Sequence, residues 1–129
     1  METELILLDS SILIDFYRKK DKSKSVFLKL PRQNRIFAIS VITHFEIYVG
    51  ARDSQVDFWN NLFHDFTILP LSTDISLCAT VIDSDLRKNR KQIDIPDLFI
   101  AATAIVNKLP FATLNKKHFD RIKELKLID

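Results

Sequence analysis

Three acidic residues of this chain, Asp9, Glu46 and Asp97, lie in apolar surroundings where packing alone would not place a carboxylate. Asp9 directly follows an apolar run at residues 5–8, and Asp97 precedes an apolar run at residues 98–102. Glu46 shares one face of a predicted helix with three apolar side chains, because residues three and four apart on a helix are neighbours. A carboxylate is costly to bury in such a place unless it is paired or bound to a cation.

The chemistry that three neighbouring carboxylates favour is the binding of a hard metal ion. Clustered carboxylates repel one another unless a cation neutralises them, and oxygen ligands favour Mg²⁺ or Mn²⁺ over zinc. The histidines His44, His64 and His118 have no spacing typical of a zinc site and no cysteine partners. An acidic magnesium site is suited to phosphodiester hydrolysis, in which the ion activates water and stabilises the leaving oxygen.

Each acid also has a purely structural interpretation when it is considered alone. In that interpretation Asp9 is a turn or N-cap residue, Glu46 is an edge residue whose side chain reaches water, and Asp97 caps the next helix. An N-cap aspartate stabilises a helix by about 1 kcal/mol, which is sufficient to explain Asp97 by itself. Asp15 and Asp94 are nearby acids that we expect to be solvated rather than ligating. Only the three acids together favour a metal site.

Short apolar segments alternate along the chain with amphipathic ones, and this alternation predicts the elements that position the acids. The predicted strands are residues 5–8, 36–39, 67–71, 110–114 and 126–128. The predicted helices are residues 12–18, 25–30, 41–51, 54–66, 72–90, 97–106 and 116–125, with residues 93–96 as a connector. Such alternation implies a parallel sheet covered on both faces, in which sites form at the carboxyl ends of strands. That rule points to Asp9, Ser40 and residues 113–115.

Composition limits the class of protein. The 129 residues fit one compact domain, and 47% hydrophobic with 28% charged residues is the balance of a globular protein. Gly50 is the only glycine, which excludes the glycine-rich phosphate loops of classical nucleotide-binding sites. The single cysteine, Cys78, cannot form an intrachain disulfide and is expected to be buried. Neither a signal peptide nor a membrane span is predicted, so we expect a cytoplasmic protein.

The charge distribution is more informative than the net charge of +2, which does not by itself require a nucleic-acid partner. Basic residues concentrate at residues 18–24, 87–91 and 116–126. Clusters of this kind can contact phosphates, although any single one is more often solvated surface.

The predicted helix at residues 54–66 carries four aromatic residues, which is more than one buried stripe needs. They are Phe58, Trp59, Phe63 and Phe66. Some of these rings are therefore expected to be exposed, and an uncovered aromatic patch on a small protein is typical of an interface. The alternative is that all four rings fill the core beside the sheet.

Four segments of the chain, in order, resemble the motifs of PIN domains. They are Leu7-Leu8-Asp9-Ser10-Ser11-Ile12-Leu13-Ile14-Asp15, Ile39-Ser40-Val41-Ile42-Thr43-His44-Phe45-Glu46-Ile47-Tyr48-Val49-Gly50-Ala51, Ile95-Pro96-Asp97-Leu98-Phe99-Ile100-Ala101-Ala102-Thr103-Ala104, and Ala112-Thr113-Leu114-Asn115-Lys116-Lys117-His118-Phe119. Among PIN domains, the chain resembles the VapC-like toxins in particular. The resemblance implies a single PIN domain over residues 1–129, with the α/β fold of a three-layer α/β/α sandwich and a mainly parallel four- or five-stranded sheet.

The resemblance also implies roles for individual residues. Asp9, Glu46 and Asp97 match the metal-site acids of the family. Asn115 stands where many members have an aspartate, and its side-chain oxygen is expected to support the catalytic site. His118 stands where other members have an aspartate before the phenylalanine, and is expected to contact a substrate phosphate or Asn115.

Two hydroxyl residues, Ser10 and Thr113, are further candidates for the site, because either can orient a metal-bound water beside the substrate. Both are equally compatible with ordinary roles in a helix cap or a turn.

The activity implied by the resemblance is hydrolysis of single-stranded or loop RNA by an Mg²⁺- or Mn²⁺-dependent endoribonuclease that leaves 5′-phosphate products. Such a protein acts as the toxin of a toxin–antitoxin pair, forms a homodimer and is silenced by a cognate antitoxin. The basic clusters would contact the RNA backbone, which positions RNA without specifying its sequence. The alternatives are a non-catalytic PIN module that binds RNA or protein, a solitary RNA-processing nuclease, and an acidic-site phosphatase.

Overall fold

The computed structural model of the chain describes residues 4–30 and 35–128, with Arg35 described by its backbone alone. The strands are β1 (Glu4–Leu8), β2 (Arg35–Ser40), β3 (Thr67–Leu69) and β4 (Phe111–Ala112). The helices are α1 (Ser10–Arg18), α2 (Val26–Lys29), α3 (Val41–Gly50), α4 (Val56–Phe63), α5 (Thr73–Lys88), α6 (Ile95–Val106) and α7 (Lys116–Phe119), with short 3₁₀ turns at Lys22–Lys24 and Asp53–Gln55. Residues 1–3, 31–34 and 129 of the predicted domain lie outside the described residues.

The four strands form one parallel sheet in the order β3-β2-β1-β4. The predicted parallel sheet is therefore confirmed, with four strands. The fifth strand expected at residues 126–128 is reduced to one parallel bridge between Leu127 and Phe111. Phe111 forms the hydrogen bonds on both sides of this bridge, donating to Lys126 and accepting from Ile128. Because β4 is only two residues long, it cannot support a longer ladder at this edge.

Helices cover both faces of the sheet. Successive side chains of a strand point to opposite faces, and because successive residues of β1 are apolar, both faces need to be covered. Ile6 and Leu8 of β1 belong to a core cluster on one face, which α1, α2 and α4 cover. Leu7 belongs to the cluster on the other face, which α5 and α6 cover. These strand side chains are fully buried. This arrangement confirms the predicted three-layer sandwich.

The last predicted helix is mostly a series of turns. Helix α7 ends at Phe119 rather than at residue 125. Beyond it, the backbone N–H of Ile122 donates to Phe119 and that of Leu125 donates to Ile122. The three apolar residues recur at a spacing of three, and all are buried against the α5–α6 face. Residues three apart lie on the same side of a tight turn with three residues per turn, so all of them can face the core. In an α-helix with 3.6 residues per turn, the same residues would turn progressively away from the core.

The expectation that aromatic rings of the 54–66 segment are exposed is wrong. Trp59 and Phe63 are buried, whereas Phe58 and Phe66 are partly buried and pack against the same core cluster. Their rings contact one another and aromatic rings of α1, α2 and β2, with centroids about 5–6 Å apart. These rings fill the core because three other elements bring apolar surface to α4. The exposed apolar side chains lie elsewhere, and the most exposed are Phe45, Val49, Leu77, Val81 and Ile95, at 61–69%.

Two smaller expectations concern Cys78 and membrane helices. Cys78 is a free thiol on α5 that is partly buried and packs against the core. Burial raises the pKa of this thiol, and the nearby Glu124 adds to the effect. No helix within residues 4–30 and 35–128 has the length and apolar character to cross a membrane.

Candidate active site

The candidate site lies where the chain changes direction across the sheet. From β1 the chain passes through α1 to β2 on one side, whereas from β3 it passes through α5 and α6 to β4 on the other side of β1. In open parallel sheets, ligands bind in the crevice at the carboxyl ends of the two strands that flank such a switch point. Asp9 directly follows β1 and Thr113 directly follows β4. The topology therefore brings these two residues together.

Asp9 is a buried carboxylate, with 5% of its surface exposed. Its Oδ2 atom accepts hydrogen bonds from Ser11 Oγ and Thr113 Oγ1, each at 2.7 Å. No group among the described residues donates a hydrogen bond to Oδ1 of Asp9. Asp9 occupies the N-cap position of α1, but its side chain forms no capping hydrogen bond. The capping interpretation therefore explains the position of the residue and not the arrangement of its carboxylate.

Hydrogen bonds to the same hydroxyl groups connect the loop after β4 to the start of α1. The backbone N–H of Leu114 donates to Ser11 Oγ, and that of Asn115 donates to Thr113 Oγ1, each at 3.0 Å. The side chain of Asn115 is exposed and forms no hydrogen bond with the described residues. The Thr113 hydroxyl thus links the backbone of Asn115 to the carboxylate of Asp9, and the Asn115 side chain is exposed to solvent.

The hydroxyl that contacts Asp9 within α1 belongs to Ser11, not to Ser10. The Ser10 side chain makes no hydrogen bond to any described residue, so the structure does not bring it to the carboxylate. The sequence alone does not distinguish the two serines, because both follow Asp9 and only the direction of the first helical turn decides which hydroxyl contacts the carboxylate. The role expected of Ser10, orienting a metal-bound water, stays a prediction. Thr113, by contrast, lies in direct contact with Asp9.

Glu46 reaches the site from α3, which begins directly after β2. Ser40 caps this helix by accepting a hydrogen bond from the N–H of Ile42 at 3.0 Å. Glu46 is partly buried, and its Oε1 atom is buried without a hydrogen-bond partner. Burial raises the pKa of Glu46, and the negative charges of Asp97 and then Asp9 raise it further. The Glu46 side chain therefore does not lie at a water-exposed edge of the helix, which was the alternative interpretation.

Asp97 lies in the first turn of α6, whose N-cap position is occupied by Asp94. The alternative interpretation of Asp97 as the helix cap is therefore wrong, and the predicted connector at residues 93–96 already includes the start of the helix. Pro96 makes this start favourable, because a proline in the first turn has no N–H to leave unsatisfied. Asp97 is only partly buried, and its side chain points to the candidate site rather than to the helix end.

The partner of Asp97 is His118, whose Nε2 atom lies 2.9 Å from Asp97 Oδ2. Burial raises the pKa of Asp97 and the charge of Asp9 raises it further, whereas the hydrogen bond from His118 acts in the opposite direction. The contact with Asp97 is not the one expected from the sequence, which was with Asn115 or a substrate phosphate. The only feature of the sequence that could have indicated this contact is the position of His118 shortly after the end of a predicted strand.

Of the two spare acids, Asp15 is not the solvated residue that was predicted. Its Oδ2 accepts a hydrogen bond from the N–H of Val26 at 2.9 Å, and Lys19 lies 3.6 Å from its Oδ1. Asp15 thus holds the start of α2 against α1. Asp94 is exposed, as predicted for a solvated acid, and its charge contributes to the raised pKa of Asp97.

The donor set at this site suits a divalent cation. Asp9, Glu46 and Asp97 are close enough for their charges to raise the pKa of Glu46, and Glu46 has one buried oxygen without a partner. A cation would satisfy that oxygen and remove the repulsion. Among the described residues, no three acidic, histidine or cysteine side chains are already spaced as around a bound ion.

Comparison with known proteins identifies the family. The PIN domain family model matches residues 6–125 of the chain, so the chain belongs to the PIN domain family. The chain is 36% identical over 131 residues to Ribonuclease VapC1 of Methanocaldococcus jannaschii, covering 99% of this chain and 90% of that protein. It is 43% identical over 131 residues to Ribonuclease VapC of Rickettsia bellii, covering 95% of this chain and 94% of that protein.

Solved structures of similar fold come from toxin–antitoxin complexes. VapBC2 from Rickettsia felis, bound to a DNA fragment from its promoter, matches with a TM-score of 0.86 and 24% identity, covering 96% of this chain and 97% of that chain. A toxin–antitoxin complex from Klebsiella pneumoniae matches with a TM-score of 0.76 and 29% identity, covering 96% of each chain. The first likeness concerns the fold, and it agrees with the observed sheet and layers.

Proposed function

We propose that this protein is an endoribonuclease that depends on a divalent cation, Mg²⁺ or Mn²⁺, and acts in the cytoplasm as the toxin of a toxin–antitoxin pair. The observation that carries this proposal is the buried, unpartnered Oε1 of Glu46 within electrostatic reach of Asp9 and Asp97. The VapC ribonucleases similar to this chain support the reaction class. The family match over residues 6–125 supports one PIN domain spanning residues 1–129.

In this proposal Asp9, Glu46 and Asp97 hold the cation, and the Asn115 amide oxygen supports the site from the exposed side. When bound, the cation supplies activation of water and neutralisation of the charge that develops on the phosphodiester. Water adds to phosphorus and the bond from phosphorus to O3′ breaks, which leaves a 5′-phosphate and a 3′-hydroxyl. Glu46 is suited to the task because its Oε1 atom is buried and has no hydrogen-bond partner that a cation would have to displace.

Three further residues position the carboxylates. Ser11 and Thr113 bind the same oxygen of Asp9, so the carboxylate is oriented with its other oxygen available. His118 binds one oxygen of Asp97 and is a positioning residue in this proposal, with substrate contact secondary. Ligands held by such partners lose less conformational freedom when the cation binds.

The RNA backbone is expected to lie along basic side chains near this edge of the sheet. Lys116 and Lys117 are exposed directly after Asn115, and Arg18 is exposed at the end of α1. Contacts of lysine and arginine with phosphates position RNA without specifying its sequence. Not every basic residue of the 18–24 cluster serves this purpose, because the Lys22 ammonium binds the backbone of α1.

We also propose that the protein forms a homodimer and binds a cognate antitoxin. Solved structures of similar fold include a toxin–antitoxin complex from Klebsiella pneumoniae, which supports the antitoxin partner. The homodimer is supported by the most exposed apolar side chains, which lie on α3, α5 and the start of α6. Helix α6 packs against both α3 and α5, so these side chains belong to neighbouring helices. Apolar area of this kind is typical of an interface.

A cleavage assay on total RNA, with and without Mg²⁺ and followed by mapping of the product ends, tests the reaction. Replacing Asp9 by Asn, Glu46 by Gln or Asp97 by Asn should each reduce cleavage by about a hundredfold or more, because each removes a ligand charge. Mg²⁺ should raise the melting temperature of the unaltered protein and not of these variants. Asp65→Asn, at an exposed acid outside the site, is the matched control.

Full activity of Asp97→Asn with Mg²⁺ would overturn the metal site. Absence of cleavage by the unaltered protein, together with intact binding of RNA, would favour the non-catalytic module instead. Co-expression with a small protein encoded immediately upstream tests the toxin role. If that protein neither copurifies nor relieves growth inhibition, the solitary RNA-processing nuclease becomes the better interpretation.

A further inference from the structure

A cavity of about 210 Å³ lies directly beside Glu46. Its walls come from α1, from the second half of α3 and from the start of α4, and Gly50 at the end of α3 is part of its lining. None of the contacts described above for the three acids uses this space.

Gly50 is the only glycine of the chain, and nothing in the fold requires a glycine there. Its backbone is helical and does not have a positive φ. A Cβ atom built at this position meets no atom within 4 Å outside its chain neighbours and the adjacent helix backbone, so close packing does not require its absence either. Glycine weakens a helix relative to alanine. A glycine without a conformational or packing reason is typical of a place where a ligand approaches the backbone closely.

The side chains around the cavity are suited to a flat, polar ring. Tyr17 is a partly buried ring of the cavity wall that packs on the buried Trp59 with ring centroids 5.4 Å apart, so the Tyr17 ring provides the aromatic surface. Arg18 is exposed, and no carboxylate of the described residues pairs with its guanidinium. The Gln55 side chain accepts a hydrogen bond from Arg52 through its oxygen, and its NH₂ group donates to no described residue. Unpaired nucleobases are bound by aromatic rings, arginine planes and amide donors of this kind.

The cavity continues toward the other half of the site. Ile14 and Arg18 of α1 also line a second cavity, whose wall includes Ser11 and Leu114. Ile14 and Arg18 therefore separate the two cavities. Glu46 lines the first cavity, and Ser11 and Leu114, which lie near Asp9, line the second. An extended strand with a phosphate near Arg18 fits such a paired groove, whereas a compact small molecule would use only one side.

We propose that the cavity over Gly50 is a subsite for one unpaired nucleobase of the RNA, next to the bond that is cut. The proposal rests on the ribonuclease function proposed above and adds a residue that determines which RNA conformations are accepted. RNA whose bases near the scissile bond are paired cannot place a base in the cavity. The subsite thus restricts cleavage to single-stranded or loop RNA.

Filling the cavity tests the proposal. Gly50→Ala and Gly50→Leu add bulk into open space, so both variants should fold, with a melting temperature equal to or above that of the unaltered protein. We expect a graded loss of kcat/KM on an RNA oligonucleotide that the unaltered protein cuts at one mapped bond, reaching roughly tenfold to a hundredfold for Gly50→Leu. Ser54→Leu adds the same side chain at an exposed position outside the cavity lining and should cut as the unaltered protein does.

An abasic residue in the RNA distinguishes a base subsite from a general disturbance. Moving one abasic residue through the positions flanking the mapped bond should find one position at which the unaltered protein loses activity as Gly50→Leu does. At that position the two changes together should cost no more than either alone, because both remove the same contact. Fluorescence polarisation of labelled RNA with Asp97→Asn as the background should show the same coupling in binding.

The outcomes separate the two proposals. If the unaltered protein cuts no RNA, the proposed function fails and the subsite fails with it. If it cuts RNA and Gly50→Leu cuts equally well, or the two changes are additive at every position, only the subsite is overturned. Normal cleavage by Gly50→Leu with loss of antitoxin copurification would assign the cavity to the protein partner and would also overturn the subsite.

Discussion

At the scale of single residues, the carboxylate of Asp9 depends on two hydroxyl groups that arrive from different parts of the chain. Ser11 follows it in α1, whereas Thr113 lies 104 positions away and reaches it only because β4 pairs with β1. A buried carboxylate that accepts short hydrogen bonds keeps its orientation without a bound ion. The orientation of Asp9 is therefore a property of the folded sheet.

Thr113→Val should destabilise the protein by about 1–3 kcal/mol, because it removes a donor from a buried charged acceptor while keeping the shape of the side chain. Chemical denaturation of the variant measures this loss. Thr113→Ser keeps the hydroxyl and should recover most of the stability and the affinity for Mg²⁺. A Thr113→Val variant as stable as the unaltered protein, together with a loss of stability in Thr113→Ser, would show that packing of the threonine methyl group, and not the hydrogen bond, is responsible.

Glu46 should make the protein less stable at neutral pH than it is in mild acid. Its pKa is raised from the ordinary value of 4.5 by burial and by Asp97 and Asp9, so the folded state holds this proton more tightly than the unfolded chain. Stability from this group is therefore present below about pH 4.5 and is lost as the pH rises through the raised pKa. Asp97, whose pKa is also raised, acts in the same direction.

Glu46→Gln should accordingly be more stable than the unaltered protein at pH 7 in the absence of divalent ions. The difference should shrink as the pH is lowered toward the ordinary pKa of the carboxyl group, and it should also shrink on addition of Mg²⁺. Denaturant unfolding between pH 4 and 8 measures both trends, with Asp65→Asn as the exposed control. A Glu46→Gln variant that is less stable at pH 7 would contradict the repulsion among the three acids.

At the scale of elements, the end of α1 is held by a lysine that the sequence presents as part of a basic surface cluster. The Lys22 ammonium donates to the backbone oxygens of Phe16 and Tyr17, each at 2.6 Å. It also lies 5.2–5.7 Å from the ring centroids of Phe16, Tyr17 and Phe58. A cation at the end of a helix is favourable because the last carbonyl groups carry partial negative charge. Lys22 thus joins α1 to α4 beside the cavity over Gly50.

Lys22→Met should lower the free energy of unfolding by about 1–2 kcal/mol, since it removes the charge and keeps the aliphatic stem. Lys24→Met in the same 3₁₀ turn is the matched control, because Lys24 is exposed and its side chain forms no hydrogen bond or ion pair with a described residue. Thermal and urea denaturation of the two variants provide the comparison. Similar stability of both would mean that the Lys22 contacts contribute nothing measurable.

At the scale of the whole molecule, the most exposed apolar side chains of the described residues, at 61–69%, lie on α3, α5 and the start of α6. Exposed apolar surface costs free energy in water, at about 25 cal/mol for each Å² left uncovered. A second copy of the chain is the proposed cover. The two α5 residues of this surface, Leu77 and Val81, are the most useful for a test because they lie on a different helix from Glu46.

The double variant Leu77→Asp, Val81→Asp should shift the protein from dimer to monomer, because it would bury two unpaired charges in the interface. Light scattering of the purified chain across a range of concentrations measures the change. Ser54→Asp, which adds a charge at an exposed position outside this surface, should remain dimeric. An unaltered protein that is monomeric throughout the range would remove the proposal of a homodimer.

Several features of this protein follow from short stretches of sequence, because their physical causes are local. The apolar runs that became β1 and β2 and the amphipathic period of α5 are recognisable within ten to twenty residues, as is the apolar helix after Asp97. The three acids stand out for the same reason, since each interrupts an apolar segment to which it is adjacent in sequence. Their shared edge of the sheet follows from the alternation of strands and helices.

Other features depended on which distant segments came into contact. His118 lies 21 positions from Asp97, and its pairing required α7 to pack beside the start of α6. The direction of the first turn of α1 decided between Ser10 and Ser11, and the rings of α1, α2 and β2 decided that the aromatic residues of α4 are covered. Burial and side-chain pairing are properties of the space between elements, and a local sequence pattern contains no information about which neighbour will occupy that space.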